Sequence, residues 1–176
     1  MDVSVGIRAG RDGDAGALAE ALARNRAHMR ATEPHRPERY YTAEAQAERL
    51  ADGGRRWFAV EETDEGERIV GAAILSGIVR GPFQSASLGY WVDGRRTGRG
   101  IAGALVAEVL RASRDDLGLH RIEASTLLDN HASQRVLARA GFERIGHAPR
   151  YLHIAGEWRD HLLFQRILHD RAPDLA

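Results

Sequence analysis

The chain has 176 residues, 43% of them hydrophobic, which suits one domain with a single core over residues 1–170 and a loose tail over residues 171–176. Apart from His, every basic side chain is Arg; the 25 arginines balance 25 Asp and Glu, so the formal net charge is zero and direct nucleic-acid binding is not indicated. The absence of Cys and Lys excludes a disulfide framework, a thiolate nucleophile, a Schiff-base lysine and a P-loop lysine.

The first half of the chain predicts a strand, two helices and then an antiparallel set of strands. The predicted bounds, in chain order, are Val3 to Arg8 (strand), Ala15 to Met29 and Thr42 to Ala51 (helices), and Trp57 to Glu61, Ile69 to Val79 and Gln84 to Val92 (strands). Two prolines between the helices predict a loop over Glu33 to Arg39. The pair Gly53-Gly54 predicts the end of the second helix.

The second half alternates helices and strands before a final run of strands. Its predicted bounds are Ile101 to Leu117 (helix), Arg121 to Leu127 (strand), a short helix opened by Asn130 and closed by Gly141, and Phe142 to Ile145, Tyr151 to Ile154 and Trp158 to Ile167 (strands). The complete order predicts an α/β architecture built around one mixed sheet.

The segment from Asp93 to Gly100 connects a predicted strand to an amphipathic helix and is rich in Gly and Arg. Such a connection presents backbone N–H groups at the positive end of a helix, and Gly98 and Gly100 remove side chains where a ligand must approach the main chain. These features favour a polyphosphate site. A tight turn with solvated arginines is the alternative. The spacing Gly98-x-Gly100-x-x-Gly103 also matches a dinucleotide fingerprint, although antiparallel strands before it do not suit a Rossmann fold.

The same segment resembles the pyrophosphate-loop motif of the GNAT N-acetyltransferases in the spacing Arg95-x-x-Gly98-x-Gly100. On both sides of this loop, the chain is similar to the RimJ/RimL-like branch of that family, which acetylates N-terminal amines of ribosomal proteins. The matching segments are Asn130-x-x-Ser133, Gly141-Phe142-Glu143, Val79-Arg80-Gly81-x-Phe83, Leu88-Gly89-Tyr90, His120-Arg121-Ile122 and Tyr151-Leu152-x-Ile154-x-Gly156-x-Trp158-Arg159-Asp160-His161. This resemblance spans nearly the whole chain and is looser before Trp57.

The resemblance implies the GNAT fold, with a central, mostly antiparallel sheet and helices on both faces. It also implies acetyl-CoA as co-substrate, no metal, and a gap between the strand ending at Val92 and the strand Arg121 to Leu127 that admits the thioester. The residues that it assigns to the cofactor lie on the strand end, the loop and the last helix, and are Tyr90, Trp91, Val92, Arg95, Gly98, Arg99, Gly100, Ile101, Ala102, Asn130 and Ser133. A plain helix N-cap is the alternative for Asn130.

The implied reaction is direct attack of an amine on the thioester, which requires a base for the amine and a proton donor for the leaving thiolate. Leu137 occupies the position at which many family members carry a Tyr acid, so we expect Ser133 to be the donor. Ser87 occupies the position of a common family Glu, so Glu123 is the candidate base. The alternatives are a first-turn helix residue for Ser133, a strand residue paired with Arg for Glu123, and water as the base.

The expected acceptor is the N-terminal α-amine of a ribosomal or other protein, and its expected contacts are Arg80, Phe83, Tyr151 and Trp158. Core packing for the aromatic residues and surface ion pairs for the arginines are the alternatives. A small amine (an antibiotic, polyamine or amino-nucleotide) and a CoA-binding module without turnover also stay open. Without a signal peptide or a long apolar stretch, we expect a cytoplasmic protein, monomeric or homodimeric, that does not bind membranes.

Overall fold

The computed structural model describes residues 5–52 and 54–173. The predicted strand start at Val3, the predicted stop at Gly53 and the tail residues 174–176 lie outside this part of the chain.

Seven strands in this part of the chain form one sheet, and four α-helices pack on it. In chain order the elements are β1 (Val5–Ala9), α1 (Ala15–Met29), α2 (Ala43–Leu50), β2 (Arg55–Thr63), β3 (Gly66–Val79), β4 (Ser85–Val92), α3 (Ile101–Asp115), β5 (Arg121–Leu127), α4 (His131–Arg139), β6 (Glu143–Ile154) and β7 (Glu157–Ile167). The strand order is β1-β2-β3-β4-β5-β7-β6, and only the β4–β5 pair is parallel. The predicted α/β class, with a mostly antiparallel sheet, is confirmed.

The helices divide between the two faces of the sheet, as predicted. On one face, α3 buries Leu105, Val106 and Val109 completely against the sheet. On the other face, α1 packs Leu18 and Leu22 against side chains of β2 and β3. Both helices present apolar side chains at three- and four-residue spacing, so each buries one stripe, and the central strands are covered on both sides.

Two predicted strands, Phe142 to Ile145 and Tyr151 to Ile154, are in fact one strand, β6. Its pairing with β7 continues through two register irregularities, the second between Ala148 and Leu152. Pro149 lies within this second irregularity. Because β6 is the edge strand, a proline in it removes no hydrogen bond from a second neighbour, and the strand continues past it.

The parallel strands β4 and β5 are paired over only the first half of β4. Paired residues run from Ser85 with Arg121 to Leu88 with Ala124. Beyond them, Gly89–Val92 stays paired with β3 only, and 125–127 with β7 only. The two strands therefore part at the centre of the sheet, where the sequence predicted a gap.

Candidate active site

A cleft of about 1230 Å³ opens where β4 and β5 part. One wall consists of the loop before α3, the first turn of α3 and α4. The other wall consists of the segment after α1 together with β6 and β7. Residues that line the cleft include Gly89, Tyr90, Trp91, Val92, Gly98, Gly100, Ile101, Ala102, Thr126, Asn130, Ser133, Glu33, Arg36, Leu152 and His161.

The loop before α3 exposes its main chain to the cleft. Gly98 and Gly100 have φ angles of +77° and +80°, and a Cβ at either position would meet no atom within 4 Å. Gly100 is the N-cap of α3 and has no side chain to cap it. The N–H groups of Ile101 and Ala102 therefore have no partner within the helix and point toward its open end. This arrangement fits a diphosphate.

A buried carboxylate, Asp93, fixes the start of this loop. Its Oδ1 accepts the N–H of Arg95 at 2.9 Å, and its Oδ2 accepts from Arg24 at 3.0 Å and from Asn25 at 3.1 Å. Asn25 in turn accepts the N–H of Gly94 at 3.0 Å. Burial raises the pKa of Asp93, but the hydrogen bonds from Arg95, Asn25 and Arg24 outweigh it and leave the pKa below its ordinary value. The network joins the cofactor loop to α1.

The arginines of the loop do not all face the cleft. Arg96 lines it and is held by Glu61, with Nε 2.5 Å from Oε1. Arg95 and Arg99 have exposed side chains and lie outside the cleft lining. Their assignment to the cofactor therefore stays a prediction, and for Arg95 the structure adds only the main-chain contact with Asp93.

Two hydroxyl groups meet on the cofactor side of the cleft. The oxygen of Tyr90 lies 2.7 Å from Ser133 Oγ, and the Tyr90 hydroxyl also donates to the Ser133 carbonyl at 3.2 Å. Burial raises the pKa of Tyr90, and the hydrogen bond with Ser133 offsets this only in part. The phenol is therefore protonated near neutral pH and can pass a proton through Ser133.

Ser133 lies in the first turn of helix α4, and its position there places it in the lining of the cleft. Asn130 caps the helix by accepting the N–H of Ser133 at 3.1 Å, so the N-cap interpretation of Asn130 is confirmed. Asn130 also lines the cleft, which leaves its contact with the cofactor as a prediction. Leu137, one turn after Ser133, is fully buried and packs into the core.

The sequence analysis assigned Tyr90 only to the cofactor strand and missed its hydroxyl. A usable signal was present, because Ala86, Leu88, Tyr90 and Val92 alternate on one face of β4 and all pack on the α3 side. The partner could not be inferred, since Ser133 is 43 residues away and meets Tyr90 only through the topology of the sheet.

Glu123 does not reach the cleft. It lies in the part of β5 that is still paired with β4, opposite Ser87, and its carboxylate is 2.9 Å from the Arg121 guanidinium. It is absent from the cleft lining. The structure thus supports the alternative interpretation, a strand residue paired with Arg, and gives no support to Glu123 as the base.

The four expected acceptor contacts also lie outside the cleft lining. Arg80 donates to the Leu117 carbonyl, and the Phe83 ring lies 4.7 Å from the Arg121 guanidinium, so both sit at the end of β4 opposite the gap. Tyr151 and Trp158 lie on the β6–β7 hairpin, and with exposures of 46% and 63% they are not core residues. Residue type alone could not predict at which end of the strands the cleft lies.

The acceptor side of the cleft contains one carboxylate, Glu33, among the described residues that line it. Burial raises the pKa of Glu33, although Arg36, 3.9 Å away, and Arg49 act in the opposite direction. The Glu33 carbonyl accepts the N–H of Ala155 at 3.2 Å, which joins the segment after α1 to the β6–β7 turn. The sequence analysis predicted a loop over Glu33 to Arg39 and named no acceptor contact within it.

Two absences hold for residues 5–52 and 54–173. No helix there has the length and apolar character needed to cross a bilayer. No group of three or more His, Asp or Glu side chains there is arranged to hold a metal ion.

These features define a class of protein. Residues 5–143 match the family model described as the acetyltransferase (GNAT) domain. The chain belongs to the GNAT acetyltransferases, and it is an acetyl-CoA-dependent N-acetyltransferase with acetyl-CoA as its co-substrate. The GNAT fold expected from the resemblance is confirmed.

Individual relatives narrow the position within the family. The chain is 34% identical over 174 residues to the [ribosomal protein uS5]-alanine N-acetyltransferase of Escherichia coli strain K12, covering 95% of this chain and 89% of the relative. The crystal structure of the ribosomal-protein-S5-alanine acetyltransferase of Vibrio fischeri superposes with a TM-score of 0.89 at 32% identity, covering 96% of each chain. RimJ of Mycobacterium smegmatis, solved in complex with CoA-disulfide, gives a TM-score of 0.81 at 31% identity over 93% of this chain and 81% of that one. The predicted membership of the RimJ/RimL-like branch is confirmed.

Proposed function

We propose that this enzyme acetylates the N-terminal α-amine of a protein, with ribosomal protein uS5 as the first candidate. The likeness to the uS5-alanine N-acetyltransferase covers 95% of the chain and supports this acceptor. The observation that carries the proposal is the shape and charge of the acceptor side of the cleft.

That side is open. Helices α1 and α2 cover the sheet over β2 and β3, whereas Leu163 on β7, paired with Ser125 in the part of β5 that has separated from β4, is only partly buried. The segment after α1 and strand β6 both line this wall and are joined at Glu33 and Ala155, so a chain end enters the cleft beside that contact while the rest of the peptide lies on the surface. A free polyamine carries several positive charges, and this wall offers it the single carboxylate of Glu33 beside Arg36.

The cofactor side supports the following roles. Main-chain N–H groups of Gly98, Gly100, Ile101 and Ala102 hold the diphosphate of acetyl-CoA at the positive end of α3. The unpaired edge of β4, at Tyr90 to Val92, forms hydrogen bonds with the pantetheine arm as an added strand does. The gap between β4 and β5 then receives the thioester, with strand N–H groups polarising its carbonyl.

The chemistry is direct transfer. The amine nitrogen forms a bond with the acetyl carbon, the carbon–sulfur bond breaks, and the thiolate takes a proton. Ser133 Oγ is the donor in this account, and the Tyr90 hydroxyl at 2.7 Å replaces that proton. This pair supports turnover, and it disfavours a module that only binds CoA.

An acceptor panel tests the proposal. We expect acetyl-CoA-dependent thiol release with a synthetic peptide that carries the N-terminal alanine sequence of uS5. The same peptide with a blocked N-terminus and spermidine should give at most a few per cent of that rate. Mass spectrometry should place the new acetyl group on the α-amine. Preference for spermidine, or tight acetyl-CoA binding without release by any amine, would contradict the proposed acceptor.

The role of the acceptor wall is tested by Glu33→Gln. A carboxylate near the incoming ammonium contributes a charge-assisted hydrogen bond, and we expect its loss to raise KM for the peptide by about 10-fold. KM for acetyl-CoA should stay the same. Glu38→Gln is the matched control, because Glu38 pairs with Arg26 on the surface and lies outside the cleft lining. Equal peptide KM values in both variants would remove Glu33 from acceptor binding.

A further inference from the structure

One histidine of the β6–β7 hairpin is held in a single orientation inside the cleft. His161 is 3% exposed and lines the cleft from β7. Its Nδ1 lies 3.0 Å from the carbonyl oxygen of Arg159. A carbonyl can only accept, so the neutral ring carries its hydrogen on Nδ1 and its lone pair on Nε2. Among the described residues, Nε2 has no hydrogen-bond partner.

The strand alternation directs this ring to the acceptor side. Leu162 and Phe164, its neighbours on β7, pack into the core under α3 and α4. His161 therefore faces the opposite side of the sheet, and it pairs in register with Leu127, at the end of β5 that has parted from β4. The Tyr151 ring, with its centroid 5.6 Å away, packs against the imidazole and fixes its plane.

The other histidines of this hairpin are arranged differently. His147 is paired with Asp160 at 3.2 Å, and His153 packs edge-on against Trp158. Neither lines the cleft. Location in the hairpin alone thus does not explain the buried, oriented ring at His161.

The reaction requires a base on this side of the sheet. The α-amine of a peptide has a pKa of about 8 and is mostly protonated at neutral pH, so it cannot attack until it loses a proton. Glu123 is bound to Arg121 away from the cleft. We propose that His161 is the general base: its Nε2 takes a proton from the acceptor ammonium, directly or through one water molecule.

The proton balance is complete without an added reagent. The ammonium loses one proton to Nε2, and the free amine attacks the acetyl carbon. The nitrogen loses its second proton as the amide forms, and the thiolate gains one from Ser133. The second nitrogen proton restores the Ser133–Tyr90 hydroxyl pair through water, and His161 releases the first proton to solvent before the next cycle. Tyr151 packs on the His161 ring from β6, the main-chain carbonyl of Arg159 accepts from Nδ1, and Glu33 and Arg36 line the same cleft. This inference rests on the proposed function only in requiring a primary amine acceptor.

The test is His161→Asn, whose amide can still donate to the Arg159 carbonyl but cannot accept a proton. We expect kcat to fall by about 100-fold or more near pH 7, with KM for acetyl-CoA and the CoA-induced rise in Tm unchanged. The deficit should shrink above about pH 9, where the amine is already free. His147→Asn is the matched control and should retain wild-type kcat and pH dependence.

Other outcomes overturn the assignment. A wild-type kcat in the His161→Asn variant does so, as does a deficit of the same size at every pH, which indicates a structural role. If the variant does not fold, the wild-type protein still decides the question, because ¹⁵N NMR should find the neutral His161 ring with its hydrogen on Nδ1, and a hydrogen on Nε2 would contradict the proposal. The assay uses whichever amine the wild type acetylates fastest, so failure of the peptide acceptor and failure of the base are separate results.

Discussion

The two sides of the cleft are built from different parts of the polypeptide. On the cofactor side, the groups that we propose for ligand binding are main-chain amides, presented by the glycines before α3 and by the free edge of β4. On the acceptor side they are side chains, principally Glu33 and His161, contributed by a loop and by a distant strand. Substitutions leave main-chain groups in place but remove side-chain groups, so one fold can keep its acyl donor while its acceptor changes.

From this comparison, we expect the largest effect when a loop glycine is substituted, and the affected quantity is the affinity for acetyl-CoA. Gly100→Glu places a carboxylate where the diphosphate binds, on a residue with φ of +80°. We expect affinity for acetyl-CoA to fall by more than about 100-fold, because the charge repels the phosphates and the side chain fills the site. Isothermal titration calorimetry measures the loss.

The matched control is Gly118→Glu. Gly118 also has a positive φ, +62°, and open space around its Cβ position, but it follows α3 and lies outside the cleft lining. The Gly118→Glu variant introduces the same charge, and it also places a side chain on a residue with positive φ. Equal loss of CoA affinity in both variants would mean that strain, and not occupation of a phosphate site, explains the result.

An intermediate effect is expected at the hydroxyl pair. Ser133→Ala should lower kcat by about 10- to 100-fold, since a positioned proton donor is lost while the Tyr90 hydroxyl remains nearby. Tyr90→Phe, which keeps the ring and removes only the oxygen, should lower kcat less. Because main-chain groups bind the cofactor, KM for acetyl-CoA should change little in either variant. An unchanged kcat in Ser133→Ala would remove this residue from the mechanism.

The same contrast explains what the sequence could and could not predict. The position of the glycine loop at the start of α3 was predictable because Gly98, Gly100 and the helix start are adjacent in the chain, and Asn130 and Ser133 share the first turn of a predicted helix for the same reason. The hydroxyl of Tyr90 and the positions of Glu33 and His161 depend on which strands become neighbours. The failure of Glu123 has the same origin: a strand pattern does not show at which residue β4 and β5 part.

The smallest effect is expected at Asp93, whose hydrogen bonds join the loop before α3 to helix α1. Asp93→Asn loses charge-assisted hydrogen bonds to Arg24 and Asn25, and we expect it to destabilise the protein by about 1–3 kcal/mol at neutral pH. The folded-state pKa of Asp93 is lowered, so its contribution to stability is present above its ordinary pKa and is lost as the pH falls through the folded value. The free energy of unfolding should therefore decrease less between pH 7 and about pH 2 in the variant than in the wild type, with most of the difference appearing below about pH 4.

Urea unfolding at both pH values measures this difference. Asp64→Asn, in the exposed turn between β2 and β3, is the control and should follow the wild type at each pH. An equal acid dependence of wild type and Asp93→Asn would show that the network does not hold a charged Asp93.

The most direct test of the division between the two sides is a crystal structure with a bisubstrate ligand, in which CoA is joined through an acetyl linker to the α-nitrogen of a peptide with N-terminal alanine. The account predicts the diphosphate on the amides of 98–102, the linker in the gap between β4 and β5, and the peptide nitrogen on the side of Glu33 and His161. A diphosphate bound elsewhere, or β4 and β5 paired through Val92 and Leu127, would contradict it.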